Sequence, residues 1–174
     1  MLLSIVLAPA LLAGLGLALP SDRARPWLLP VGGAVHLGLV SAALGQGWTA
    51  TLDGWVALDA LGRLFLLFLS VLYFLLCLYA PAYLAQRAER PNRVFVTCLL
   101  LYPGVASLVL LAQHLGLMWV ALEATTLVTA PLLYFNRTAR SLEAVWKYLL
   151  IGSVGIALAL FGSFFLAYSA LKEG

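Results

Sequence analysis

The chain has 174 residues, 64% of them hydrophobic and 10% charged, with a mean hydropathy of +1.04. Ordinary globular domains carry about 45–50% apolar and about 25% charged residues, so this composition excludes a soluble enzyme and a disordered chain alike. The net charge of +3 comes from ten Lys and Arg residues scattered through apolar sequence, which form no basic face for nucleic acid.

A bilayer crossing takes about 20 apolar residues, so six crossings would use roughly 120 residues. Apolar runs fall at 2–19, 27–44, 64–84, 94–111, 115–135 and 142–168. They are too long for barrel strands. The expectation is an all-α polytopic protein, a single membrane domain of six transmembrane helices. The first run has no basic stretch before it, and 20–26 is a poor cleavage site, so it is expected to be a retained span and not a signal peptide. Cys77 and Cys98 each sit inside an apolar run and read as small buried hydrophobes.

The loops set an orientation. Arg23 and Arg25 lie in the first, Arg87, Arg90 and Arg93 in the third, and Arg137 and Arg140 in the fifth, seven of the ten basic residues. The second loop carries Asp53 and Asp59 with Trp48 and Trp55, and Arg63 only at its far end. Cytoplasmic loops collect Lys and Arg, and Trp favours the membrane boundary. Both termini are therefore expected on the non-cytoplasmic side.

Two ionisable residues lie inside spans, Glu123 in the fifth and Lys147 in the sixth. A charge at mid-membrane costs about 2.5–3.5 kcal/mol on insertion scales, and such residues usually face a bundle interior or a water path. Glu123 is eight residues into its run, about 12 Å deep. Lys147 is shallower and has two readings, a membrane charge or the partner of Glu143 in an i,i+4 ion pair. The depths of Glu123 and Lys147 differ by about six residues, which favours a water-bridged relation over direct contact.

Lesser candidates have plainer readings. His36 lies among Gly32, Gly33 and Gly38, where helices pack closely, and reads first as a hydrogen-bonded packing residue. His114 sits in the turn before the fifth span. Asp59 and Arg63 are spaced for an i,i+4 pair at the mouth of the third. Thr125, Thr126 and Thr129 can bond across helices or to their own backbone. Pro103 and Pro131 free the carbonyls of Leu99 and Leu127, which can hold water. Gly152, Gly155, Ala159 and Gly162 form a small-residue stripe that reads as helix packing. No HExxH, GxGxxG, P-loop, CxxC or Ser/His/Asp arrangement occurs, so no cofactor, metal or catalytic centre is expected in this chain, nor a stand-alone enzyme acting on lipid.

The segments Met118-Trp119-Val120-Ala121-Leu122-Glu123-Ala124-Thr125-Thr126-Leu127 and Ser141-Leu142-Glu143-Ala144-Val145-Trp146-Lys147-Tyr148-Leu149-Leu150 resemble the antiporter-like membrane subunits. That family includes the pumping subunits of complex I, multi-subunit sodium/proton antiporters and group 4 membrane-bound hydrogenases. Glu-Ala-Thr-Thr and 146–160 look most like the hydrogenase component F type, and Leu58-Asp59-Ala60-Leu61-Gly62-Arg63-Leu64-Phe65 also fits the family. The resemblance implies that Glu123 and Lys147 belong to a row of charges passing protons through the inner (plasma) membrane. It implies partners too: other membrane subunits, peripheral redox subunits carrying the redox centres, and lipid. Family members continue through a broken seventh helix and a second inverted repeat. The sequence ends at Lys172-Glu173-Gly174, so the expectation is a split or shortened subunit, with another chain supplying the later helices, or a scaffold that keeps the charges without pumping.

Overall fold

The computed structural model describes residues 1–46, 50–87 and 89–173; Trp48 lies outside them. Six α-helices follow in order: α1 (Leu2–Ala18), α2 (Leu28–Leu44), α3 (Ala60–Ala85), α4 (Arg93–Leu111), α5 (Leu115–Leu133) and α6 (Ala139–Glu173). Short 3-10 turns, Arg25–Trp27 and Tyr134–Asn136, precede α2 and follow α5. Counting those turns, five of the helices are long and apolar enough to cross a membrane, while α1 has 17 residues, about 26 Å. The chain is a multi-pass α-helical membrane protein.

Helix α4 is the centre of the bundle. It packs along α1 on one side and α5 on the other, α2 lies against α3 and α1, and α6 touches α5 and the turn before it. Close approach needs glycine at two crossings. A Cβ on Gly104 of α4 would lie 2.7 Å from the Val6 carbonyl of α1, and one on Gly33 of α2 would lie 3.1 Å from Cys77 Cβ of α3. Gly38, grouped with Gly32 and Gly33 in the sequence, faces open space.

Helix α3 starts four residues earlier than its apolar run, and the reason corrects a sequence-level pairing. The Asp59 carboxylate caps the helix by accepting the Gly62 N–H at 2.6 Å, so it is used on backbone and makes no ion pair with Arg63. The Arg63 Nε is buried without a hydrogen-bond partner among the described residues. Helix α6 also starts early, because Thr138 and Ser141 cap each other reciprocally, the Ser141 N–H bonding Thr138 Oγ1 and the Thr138 N–H bonding Ser141 Oγ.

The second loop is more ordered than its polar residues suggest. Strands β1 (Ala50–Thr51) and β2 (Val56–Ala57) pair antiparallel around Leu52, Asp53 and Gly54, all with positive φ. Val56, Ala57 and Leu58 are buried, and the Gln113 N–H bonds the Trp55 carbonyl at 2.8 Å, tying this loop to the end of α4.

Candidate functional site

Helices α5 and α6 form an antiparallel hairpin, and its seam carries a row of polar groups. Glu123 is half-buried on α5, and Ser153 Oγ of α6 donates to its Oε1 at 2.9 Å. One turn further along α5, Thr126 returns its hydroxyl to the Glu123 carbonyl at 2.7 Å. Thr129 bonds the Thr125 carbonyl and lies 2.7 Å from the Tyr148 hydroxyl across the seam. Thr125 bonds back to the Leu122 carbonyl.

Lys147 is elsewhere. Its ammonium is ion-paired with Glu143, both side chains being largely exposed, and it stands six residues before Ser153, about 9 Å along α6. Glu123 and Lys147 therefore do not touch, and their offset matches the six residues expected from the sequence. The local Glu143 pair, one of the two sequence readings of Lys147, is the arrangement found.

Ser153 and Tyr148 were not singled out from the sequence, although a signal existed. In an antiparallel hairpin, contacting residues lie at mirrored distances from the turn. Glu123 and Ser153 are each fifteen residues from Thr138, and Thr129 and Tyr148 are nine and ten from it. Beside this seam a groove of about 440 Å³ between α3, α4 and α5 is walled by Phe65, Phe68 and Leu72 and bounded by Thr125, Thr129 and Tyr148.

The other candidates lie apart from this seam, except the small-residue stripe on α6. His36, fully buried, places Nδ1 2.9 Å from Ser70 Oγ of α3 and Nε2 3.0 Å from Ser107 Oγ of α4. Tyr73 meets the His36 ring edge-on and donates its hydroxyl to the Leu99 carbonyl at 3.1 Å. The carbonyl that Pro103 frees is thus filled by a side chain. His114 stacks on Trp55 at 4.2 Å and caps α5 by accepting the Gly116 N–H. Cys77 and Cys98 are free thiols. The small-residue stripe on α6 does not pack as expected: a Cβ on Gly152 would meet only Thr126, and Gly155 and Gly162 have nothing near them, because no described helix covers that face. Among the described residues no three His, Cys, Asp or Glu side chains gather as a metal site.

Arg25 is the residue most misread by its position in a loop. It is buried, with Nε donating to the Gly16 carbonyl at 3.0 Å, one terminal nitrogen shared by Asp22 and Asn92, and the other on the Leu19 carbonyl. The Asn92 amide in turn donates to the Asp22 carbonyl at 2.7 Å.

These features define a class: a polytopic helical membrane protein with a carboxylate set deep in a polar helix–helix seam. The comparisons carry the assignment further. Over 120 residues, 64% of its length, the chain is 38% identical to a hydrogenase-4 component F homolog of Methylacidiphilum infernorum (isolate V4). Over 105 residues, 60% of its length, it is 32% identical to an NADH-quinone oxidoreductase subunit N of Azoarcus sp. (strain BH72). Both relatives are antiporter-like subunits, so the resemblance carried by the sequence motifs holds. The matched stretches are 25% and 21% of those proteins, so the chain spans about a quarter of the curated relatives' length. No protein-family model matches it.

Proposed function

We propose that the chain is a membrane subunit of a redox-driven ion-translocating complex and that Glu123 is its proton-carrying group. The observation that carries this reading is the placement of Glu123, about 12 Å into α5, half-buried and held by the Ser153 hydroxyl. The hydroxyl fixes the carboxylate at the α5–α6 seam. Lys147 supplies the adjustable charge. Its flexible stem rests on Glu143; an ammonium moved along the seam toward Glu123 favours the carboxylate, and its return to Glu143 lets a proton bind. Thr126, Thr129 and Tyr148 offer hydroxyls between the two charges, with water completing the path. His36, Asp59 and Arg63 have no step in this scheme.

Partners follow from exposure. No residue of the α6 span is buried, yet that span holds the Glu143–Lys147 pair, which lipid tails solvate poorly. Other membrane subunits covering α6 would supply the missing surroundings, and peripheral redox subunits the driving reaction. The arginine-rich loops support an inner-membrane orientation with both termini outside. A scaffold reading has one observation in its favour: Glu123 and Lys147 each have a partner close by and need no proton to be satisfied.

Lys147→Met and Glu143→Gln separate the two. Proton uptake is measured in proteoliposomes of the assembled complex, with electron transfer recorded alongside. A pump loses uptake in Lys147→Met and, because Glu143 is where the ammonium returns, loses it in Glu143→Gln as well; a scaffold keeps both.

A further inference from the structure

A groove of about 770 Å³ opens between the start of α2 and the end of α3, far along the chain from the α5–α6 seam. Trp27 and Pro30 line it from one side and Leu78 and Pro81 from the other. Leu78 is seven residues before the end of α3, so the apolar walls run about 10 Å into the hydrocarbon from the membrane boundary. Trp27 is 68% exposed at the mouth, the depth where indoles settle at lipid headgroups, and its N–H is an available donor.

The charge at the mouth is one-sided. Asp22 and Arg23 both lie there, but the Asp22 carboxylate is held by Arg25, whose other bonds fix it in place. Asn92 is likewise committed to Arg25 and the Asp22 carbonyl. Arg23 makes no ion pair or hydrogen bond among the described residues, and the same end of the bundle carries Arg87, Arg90 and Arg93. We infer that this groove binds an anionic glycerophospholipid, its phosphate on Arg23, its ester region against Trp27 and an acyl chain along Pro30, Leu78 and Pro81. Cationic pockets between membrane helices suit such headgroups, and a zwitterionic lipid brings a second positive charge toward Arg23. This site is independent of the Glu123 reading and stands or falls apart from it.

The test uses the full chain, purified with the subunits that accompany it, in nanodiscs holding a diazirine-tagged lipid. Tagged phosphatidylglycerol should label residues around Trp27, Leu78 and Pro81 far more than tagged phosphatidylcholine does. Arg23→Gln should lower that labelling about fivefold, Arg23→Lys should restore it, and Arg140→Gln, at the same end but outside the groove, should leave it unchanged. Equal labelling by the two lipids, labelling elsewhere, or an equal loss in Arg140→Gln would overturn the proposal. So would displacement by inorganic phosphate, which would make this a site for the free anion.

Discussion

His36 has both ring nitrogens within hydrogen-bond distance of a hydroxyl, Ser70 on α3 and Ser107 on α4, and so clasps three helices together. The sequence placed it among glycines and favoured packing; the two serines that hold it lie 34 and 71 residues away and could not be paired with it from spacing alone. His36→Leu strands two buried hydroxyls and should cost about 1–2 kcal/mol. Removing the hydroxyls as well, with Ser70→Ala and Ser107→Ala, should recover part of that loss, because replacing every partner of a buried polar group costs less than orphaning some. Thermal unfolding in lipid nanodiscs checks the order. A triple variant less stable than His36→Leu would mean that the serines matter for reasons other than this histidine.

Among the elements, the spans themselves were readable because runs of apolar residues leave few alternatives, and the loops between them were read less well. Polar character concealed two things. The triplet Val56, Ala57 and Leu58 turns the second loop inward, and Arg25 is a buried bolt joining the end of α1, the first loop and the start of α4. An arginine in a membrane loop carries orientation by charge and structure by hydrogen bonding, and composition reports only the first. Arg25→Met frees the Gly16 and Leu19 carbonyls together and should cost about 2–3 kcal/mol, whereas exposed Arg140→Met should stay within about 0.5 kcal/mol. Matched unfolding curves of the two variants would contradict the bolt. The α5–α6 hairpin was foreseen as an antiparallel pair with Glu123 and Lys147 out of register, and the structure adds what lies between them. Its α6 hydroxyls, Ser153 and Tyr148, escaped notice because Ser and Tyr in a membrane helix carry little signal until the turn fixes which residues face each other.

For the molecule as a whole, orientation and company are the open consequences of the same facts. With Cys77 and Cys98 replaced by alanine, a cysteine at exposed Glu89 should label only from the cytoplasm and one at exposed Asp53 only from outside; the reverse pattern would invert the topology. Because the α6 span buries no residue, the chain taken alone into detergent should aggregate and the chain in its native membrane should co-purify with other membrane subunits. A monodisperse solitary chain would show that α6 needs no cover. The central claim concerns the Glu123 carboxylate. Glu123→Gln keeps the size of the side chain and its bond to Ser153 but removes the titrating group, so assembly should survive with electron transfer still running. The measurement is protons taken up per electron transferred by the assembled complex in proteoliposomes. The account predicts a clear fall in that ratio for Glu123→Gln, and a ratio equal to that of the unaltered complex would contradict it.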